Sequence, residues 1–69
     1  MQSITITANG TQCEVPARTT LPAFLESRST PLGRVVVEYN GRALTREQSR
    51  VVVLADGDRL EVVRVVAGG

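Results

Sequence analysis

Histidine and lysine are absent from this 69-residue chain, and cysteine occurs once. Each absence removes a class of function. Without histidine there is no imidazole base to pair with a nucleophile, and no cluster of residues has metal-ligand spacing, so an independent enzyme is not expected. The single Cys13 excludes an internal disulfide and fits a reducing compartment. All eight basic residues are arginine, so the conventional amine of the chain is its N-terminus. The net charge of +1 provides no electrostatic footprint for nucleic acid or an anionic membrane surface. No apolar run approaches the ~20 residues that span a bilayer, and no basic segment leads into an apolar stretch as in a signal peptide. The expectation is a cytoplasmic protein. None of the six glycines stands in a phosphate-loop spacing, so no bound cofactor is expected.

What the chain does contain is a strand-rich pattern around one helix. Ile4, Ile6 and Ala8 alternate with Thr5 and Thr7, as on a half-buried strand. Asn9-Gly10 is a hairpin signal, and Thr11 to Val15 alternates again. Pro16 stops the second strand. Thr19 or Thr20 caps a short helix with Pro22 in its first turn, and Leu21, Phe24 and Leu25 form its inward face. Arg34 to Tyr39 predicts a third strand, with Val35, Val37 and Tyr39 on one side and Val36 and Glu38 on the other. Asn40-Gly41 marks another turn, after which Arg42 to Leu44 pairs only briefly. Thr45 to Gln48 has capping-box spacing for one helical turn. Arg50 to Leu54 reads as the fourth strand and Arg59 to Val66 as the last, after an Asp56-Gly57-Asp58 turn. The order β-β-α-β-β-β indicates an α+β fold with the helix on one face of the sheet.

The chain closes on Gly68-Gly69 after Ala67. Glycine costs entropy when ordered and adds nothing to a core. It does supply a thin arm with a carboxylate at its tip, and Val66 to Gly69 would reach roughly 12–14 Å when extended. Such an arm fits a narrow active site on another protein.

These features together resemble the ubiquitin-like sulfur carriers, most closely the carriers of the thiamine pathway. The resemblance rests on Asn9-Gly10, Thr20-Leu21, the run from Val35 to Gly41, Arg46, the run from Asp56 to Val63, and the terminal glycines. Thr45 stands where that family commonly has proline, and Ala67 where a third glycine is frequent. The resemblance implies a β-grasp fold, with residues 1–66 as one domain and 67–69 as a flexible tail. It also implies a mechanism. An E1-like adenylyltransferase, which binds ATP and its metal, adenylates the Gly69 carboxylate. A sulfur donor such as a cysteine desulfurase supplies the sulfur that makes it a thiocarboxylate. An acceptor such as thiazole synthase then receives that sulfur. Molybdopterin, cysteine and natural-product pathways use the same fold and stay open as alternatives, as does a ubiquitin-like modifier that forms isopeptide bonds, or a binding module with an incidental tail.

Other residues divide between chemistry and structure. Cys13, on an inward strand face without a histidine or a helix N-terminus to activate it, reads as a core residue rather than a persulfide carrier. Asp56 and Asp58 read as turn residues rather than an acid/base pair or cation site. Val36, Val63 and Val65 fall on the face away from the core and suggest a docking patch, with Arg59, Arg64 and Arg42 as its rim. The same valines would also fit a strand packed on both faces.

Overall fold

The computed structural model describes residues 2–65. Strand β1, Ser3–Ala8, turns back at Asn9 and Gly10 into β2, Thr11–Pro16. Both turn residues have positive φ, 50 and 81 degrees, which is the backbone twist a tight hairpin requires. Helix α1, Leu21–Ser27, follows. Thr20 caps it by accepting from the Ala23 amide at 3.2 Å, and Pro22 occupies its first turn. The helix ends where Ser29 adopts φ 58 degrees and the Thr30 amide donates to the Leu25 carbonyl.

A 3-10 turn at Leu32–Arg34 leads into β3, Val35–Tyr39. A second hairpin at Asn40 and Gly41, φ 51 and 84 degrees, joins it to β4, Arg42–Leu44. Helix α2, Arg46–Arg50, starts at a complete capping box between Thr45 and Gln48. Strand β5, Arg59–Arg64, comes last. The five strands lie in the order β2-β1-β5-β3-β4. β5 is the middle strand and runs parallel to β1 and antiparallel to β3. This is the β-grasp arrangement that the resemblance implies.

The core lies between α1 and one face of the sheet. Leu21, Phe24 and Leu25 are buried against Ile6, Val37 and Leu60, with Ile4, Val35 and Val62 packed around them. Among the described residues, no helix is long and apolar enough to cross a membrane.

One expected strand does not form. Arg50 belongs to α2, and Val51 caps that helix. The Val52–Leu54 backbone then bonds to the entrance of α1 instead of to a strand. The Leu21 amide donates to the Val52 carbonyl and the Leu54 amide to the Thr19 carbonyl, with a single bridge between Thr20 and Val53. The fourth strand is Arg42–Leu44, because the tight turn at Asn40-Gly41 delivers those residues directly to the free edge of β3. Two boundaries also shift. β3 begins at Val35 because Arg34 closes the 3-10 turn, and β5 ends at Arg64. Val66, assigned to the last strand from sequence, lies outside the described residues.

Candidate functional site

β5 carries three of the candidate site residues, Arg59, Val63 and Arg64, and its register is fixed by polar contacts at both of its neighbours. Only Thr7 and Ala8 of β1 pair with it as strand residues. The ladder is then prolonged by a side chain. The Asn9 carboxamide accepts from the Val62 amide at 2.7 Å and donates to the Val62 carbonyl at 3.1 Å. Asn40, in the other hairpin, accepts from the Arg59 amide at 2.8 Å and donates to the Asp58 carboxylate at 3.1 Å. A carboxamide offers a donor and an acceptor together, which aspartate cannot do. Each hairpin asparagine therefore makes its turn and also clamps the middle strand.

The turn before β5 is held in a similar way. The Asp56 carboxylate accepts from the Thr5 amide at 2.8 Å, and the Gly57 amide donates to the Thr5 carbonyl. Asp58 is buried, and its carboxylate accepts from the Tyr39 hydroxyl at 2.7 Å and the Ala55 amide at 2.7 Å as well as from Asn40. The hydrogen bond to Asp58, burial and the nearby negative charge together push the Tyr39 phenol up to about 12. The Ala55 bond is a turn contact of the kind expected of Asp58, whereas the bonds of Asp56 to Thr5 and of Asp58 to Tyr39 and Asn40 reach to neighbouring parts of the fold. The register Tyr39 to Leu60 brings Tyr39 and Asp58 together across the sheet.

Beyond the turn, alternation sorts β5 by side. Leu60 and Val62 face the core; Arg59, Glu61 and Val63 face the open side. Val63 stands opposite Val36 on β3, and the two are 62% and 52% exposed. Val65 is exposed as well, and its amide donates to the Arg34 carbonyl at 2.8 Å, so β5 stays tied to the start of β3 one residue past its end. Val36 and Val65 also border a hollow of about 310 Å³ with Leu32, Leu44 and Arg46. The structure thus brings Val36, Val63 and Val65 together.

The arginines are placed differently. Arg59 shares the open side with Val63, nearer the start of β5. Arg64 falls on the helix side by alternation and lines a cavity there with Arg28. Arg42 pairs with Tyr39 at the far end of β3, roughly 10 Å along the strand from Val36. Exposed Val51 and Val53 did not stand out in the sequence because their segment was read as a strand. Cys13 is half-buried rather than buried; its thiol donates to the Thr11 carbonyl at 3.5 Å, and it lines the same cavity as Arg64. No group of three or more potential metal ligands occurs among the described residues. Ala67, Gly68 and Gly69, the expected tail, lie outside the described residues.

Comparison with known proteins agrees with this architecture. The family model of the ThiS family matches residues 2–69. The chain belongs to the ThiS family. The crystal structure of a thiamine biosynthesis protein (ThiS) from Geobacter metallireducens superposes on this member of the ThiS family with a TM-score of 0.77 at 29% sequence identity, covering 96% of this chain and 100% of that one. No curated protein matches the chain.

Proposed function

We propose that this chain is a sulfur carrier of thiamine biosynthesis and that the Gly69 carboxylate is its reacting group. The observation that carries this reading is the ThiS family match, which extends through residue 69. A carboxylate is a poor acyl donor. Its attack on the α-phosphate of ATP expels pyrophosphate and gives an acyl adenylate. A sulfur nucleophile then forms the C–S bond while the C–O bond to AMP breaks. The resulting thiocarboxylate is a soft nucleophile suited to delivering sulfur.

The chain's own contribution is presentation. The backbone is tied to β3 as far as Val65, and the residues after it are the segment the proposal gives to chemistry. Val36, Val63 and Val65 form an apolar surface beside that point, suited to contact with an E1-like adenylyltransferase and with an acceptor such as thiazole synthase. ATP and its metal belong to the adenylyltransferase, and the sulfur to a donor such as a cysteine desulfurase.

Intact mass measurement after incubation with the activating enzyme, ATP and sulfide tests the reading. Replacement of one carboxyl oxygen by sulfur is the expected product. An isopeptide-linked adduct would identify a protein modifier instead, and an unchanged mass with a competent activating enzyme would overturn the carrier assignment.

A further inference from the structure

A cavity of about 420 Å³ opens between α1 and the helix side of the sheet, within the size range of small-molecule sites. Ala8 from β1, Cys13 from β2, Phe24 from α1 and Val62 from β5 give its wall an apolar part, and Asn9, Thr11 and Thr30 add neutral polar groups. Two cations complete it. Arg28 caps the C-terminal end of α1 with its guanidinium carbon 5.1 Å from the centre of the Phe24 ring. Arg64 follows Val62 on the same side of β5 and also lines the adjoining hollow, where Arg34 adds a third guanidinium. No carboxylate among the described residues lines either space.

An apolar cavity left over from imperfect packing needs no charge at its edge, and a solvated rim normally mixes both signs. Here a mainly apolar wall meets neutral polar groups at Asn9, Thr11 and Thr30, and the only charges among the described lining residues are guanidinium groups, whose fork geometry matches carboxylate and phosphate. We infer that this cavity binds a small amphiphilic anion, with its apolar body between Phe24 and Val62 and its carboxylate or phosphate head between Arg28 and Arg64. This site is on the opposite side of the sheet from Val63 and is independent of the sulfur-carrier reading.

Two-dimensional NMR titration of the full chain with four probes tests the inference: phenyl phosphate, benzoate, inorganic phosphate and benzyl alcohol. At least one of the first two is expected to shift the Ala8, Cys13 and Val62 resonances saturably, and the tighter of them identifies the head group. Benzyl alcohol lacks the charge-assisted contact and inorganic phosphate the burial of an apolar body, so each should bind about tenfold or more weakly. Arg28→Gln and Arg64→Gln, both at exposed positions, should weaken the bound anion by about the same factor while the remaining resonances stay in place. The inference is overturned if neither amphiphile binds at these residues, if benzyl alcohol or inorganic phosphate binds as tightly, or if both glutamine variants bind as the native chain does. The four-probe comparison decides without the variants should either fail to fold.

Discussion

Asp58 shows how much of this small molecule depends on single polar side chains. It is 7% exposed, and its two carboxylate oxygens hold Tyr39 from β3, Asn40 from a hairpin and the Ala55 amide from its own turn. Removing the carboxylate breaks three part-buried hydrogen bonds at once and leaves their donors without that acceptor. Asp58→Ala is therefore expected to destabilise the fold by about 2–4 kcal/mol in urea unfolding, whereas Asp56→Ala, which loses one exposed bond to the Thr5 amide, should cost about 1 kcal/mol or less. Tyr39 provides a pH test of the same contact. Its phenol must be protonated to donate to Asp58, and its folded value is raised from 10.0 to about 12. A raised value means that the contribution is fully present below pH 10.0 and is lost as pH rises through about 12. Tyr39 is the sole tyrosine, so the phenolate absorbance reports it alone. The native midpoint should lie near 12 and should fall towards 10 in Asp58→Ala; equal midpoints would remove Asp58 as the cause. Sequence reading identified Asp58 as a turn residue and stopped there, because its partners lie 18 and 19 residues away and meet it only through the pairing of β3 with β5.

At the scale of elements, local chemistry was legible where it is self-sufficient. Asn-Gly pairs specify both hairpins because positive φ at two successive positions is a demand few residues meet. Thr20 and Thr45 specify both helix starts because the cap and its donor lie within one turn. Residues 51–53 misled because three valines carry a strand propensity that only a neighbouring strand can use. The edge of β3 was already taken by β4, and the segment found only the entrance to α1. The valine patch was legible because period-two alternation holds along an unbroken strand. Arg64 neighbours Val63 in sequence, but the same alternation puts it on the other side of β5. The capping box is testable by itself. Thr45→Ala removes the acceptor for the Gln48 amide at 3.0 Å and should destabilise the domain by ~1 kcal/mol, since α2 has only five residues and few other constraints at its start. Thr45→Ser keeps the hydroxyl and should recover most of the loss; a serine variant as unstable as the alanine one would show that the methyl group, not the cap, was responsible.

At the scale of the whole molecule, the two sides of the sheet have different tasks. The helix side holds the core, and the open side presents Val63 and Val36 to solvent. Folding and partner recognition should therefore be separable by mutation, and recognition should in turn be separable from chemistry. Val63→Asp places a charge on the open side without removing anything from the core, so its effect on unfolding should stay within about 0.5–1 kcal/mol. Its effect on binding to the activating enzyme should be large, because a carboxylate in an apolar interface must be desolvated without a partner. Deleting Gly69 should act in the opposite sense. Body contacts remain, so the affinity for the activating enzyme should change little, while ATP–pyrophosphate exchange is lost because the attacking carboxylate is set back by one residue and a misplacement of ~1 Å already costs on the order of 100-fold. Measuring affinity and exchange on both variants separates the two contributions. If Val63→Asp unfolded the chain, Val63 would belong to the structure rather than to a docking surface. If the chain lacking Gly69 supported exchange as well as the native one, the position of the terminal carboxylate would not matter to adenylation, and the assignment of Gly69 as the required reacting residue would fail.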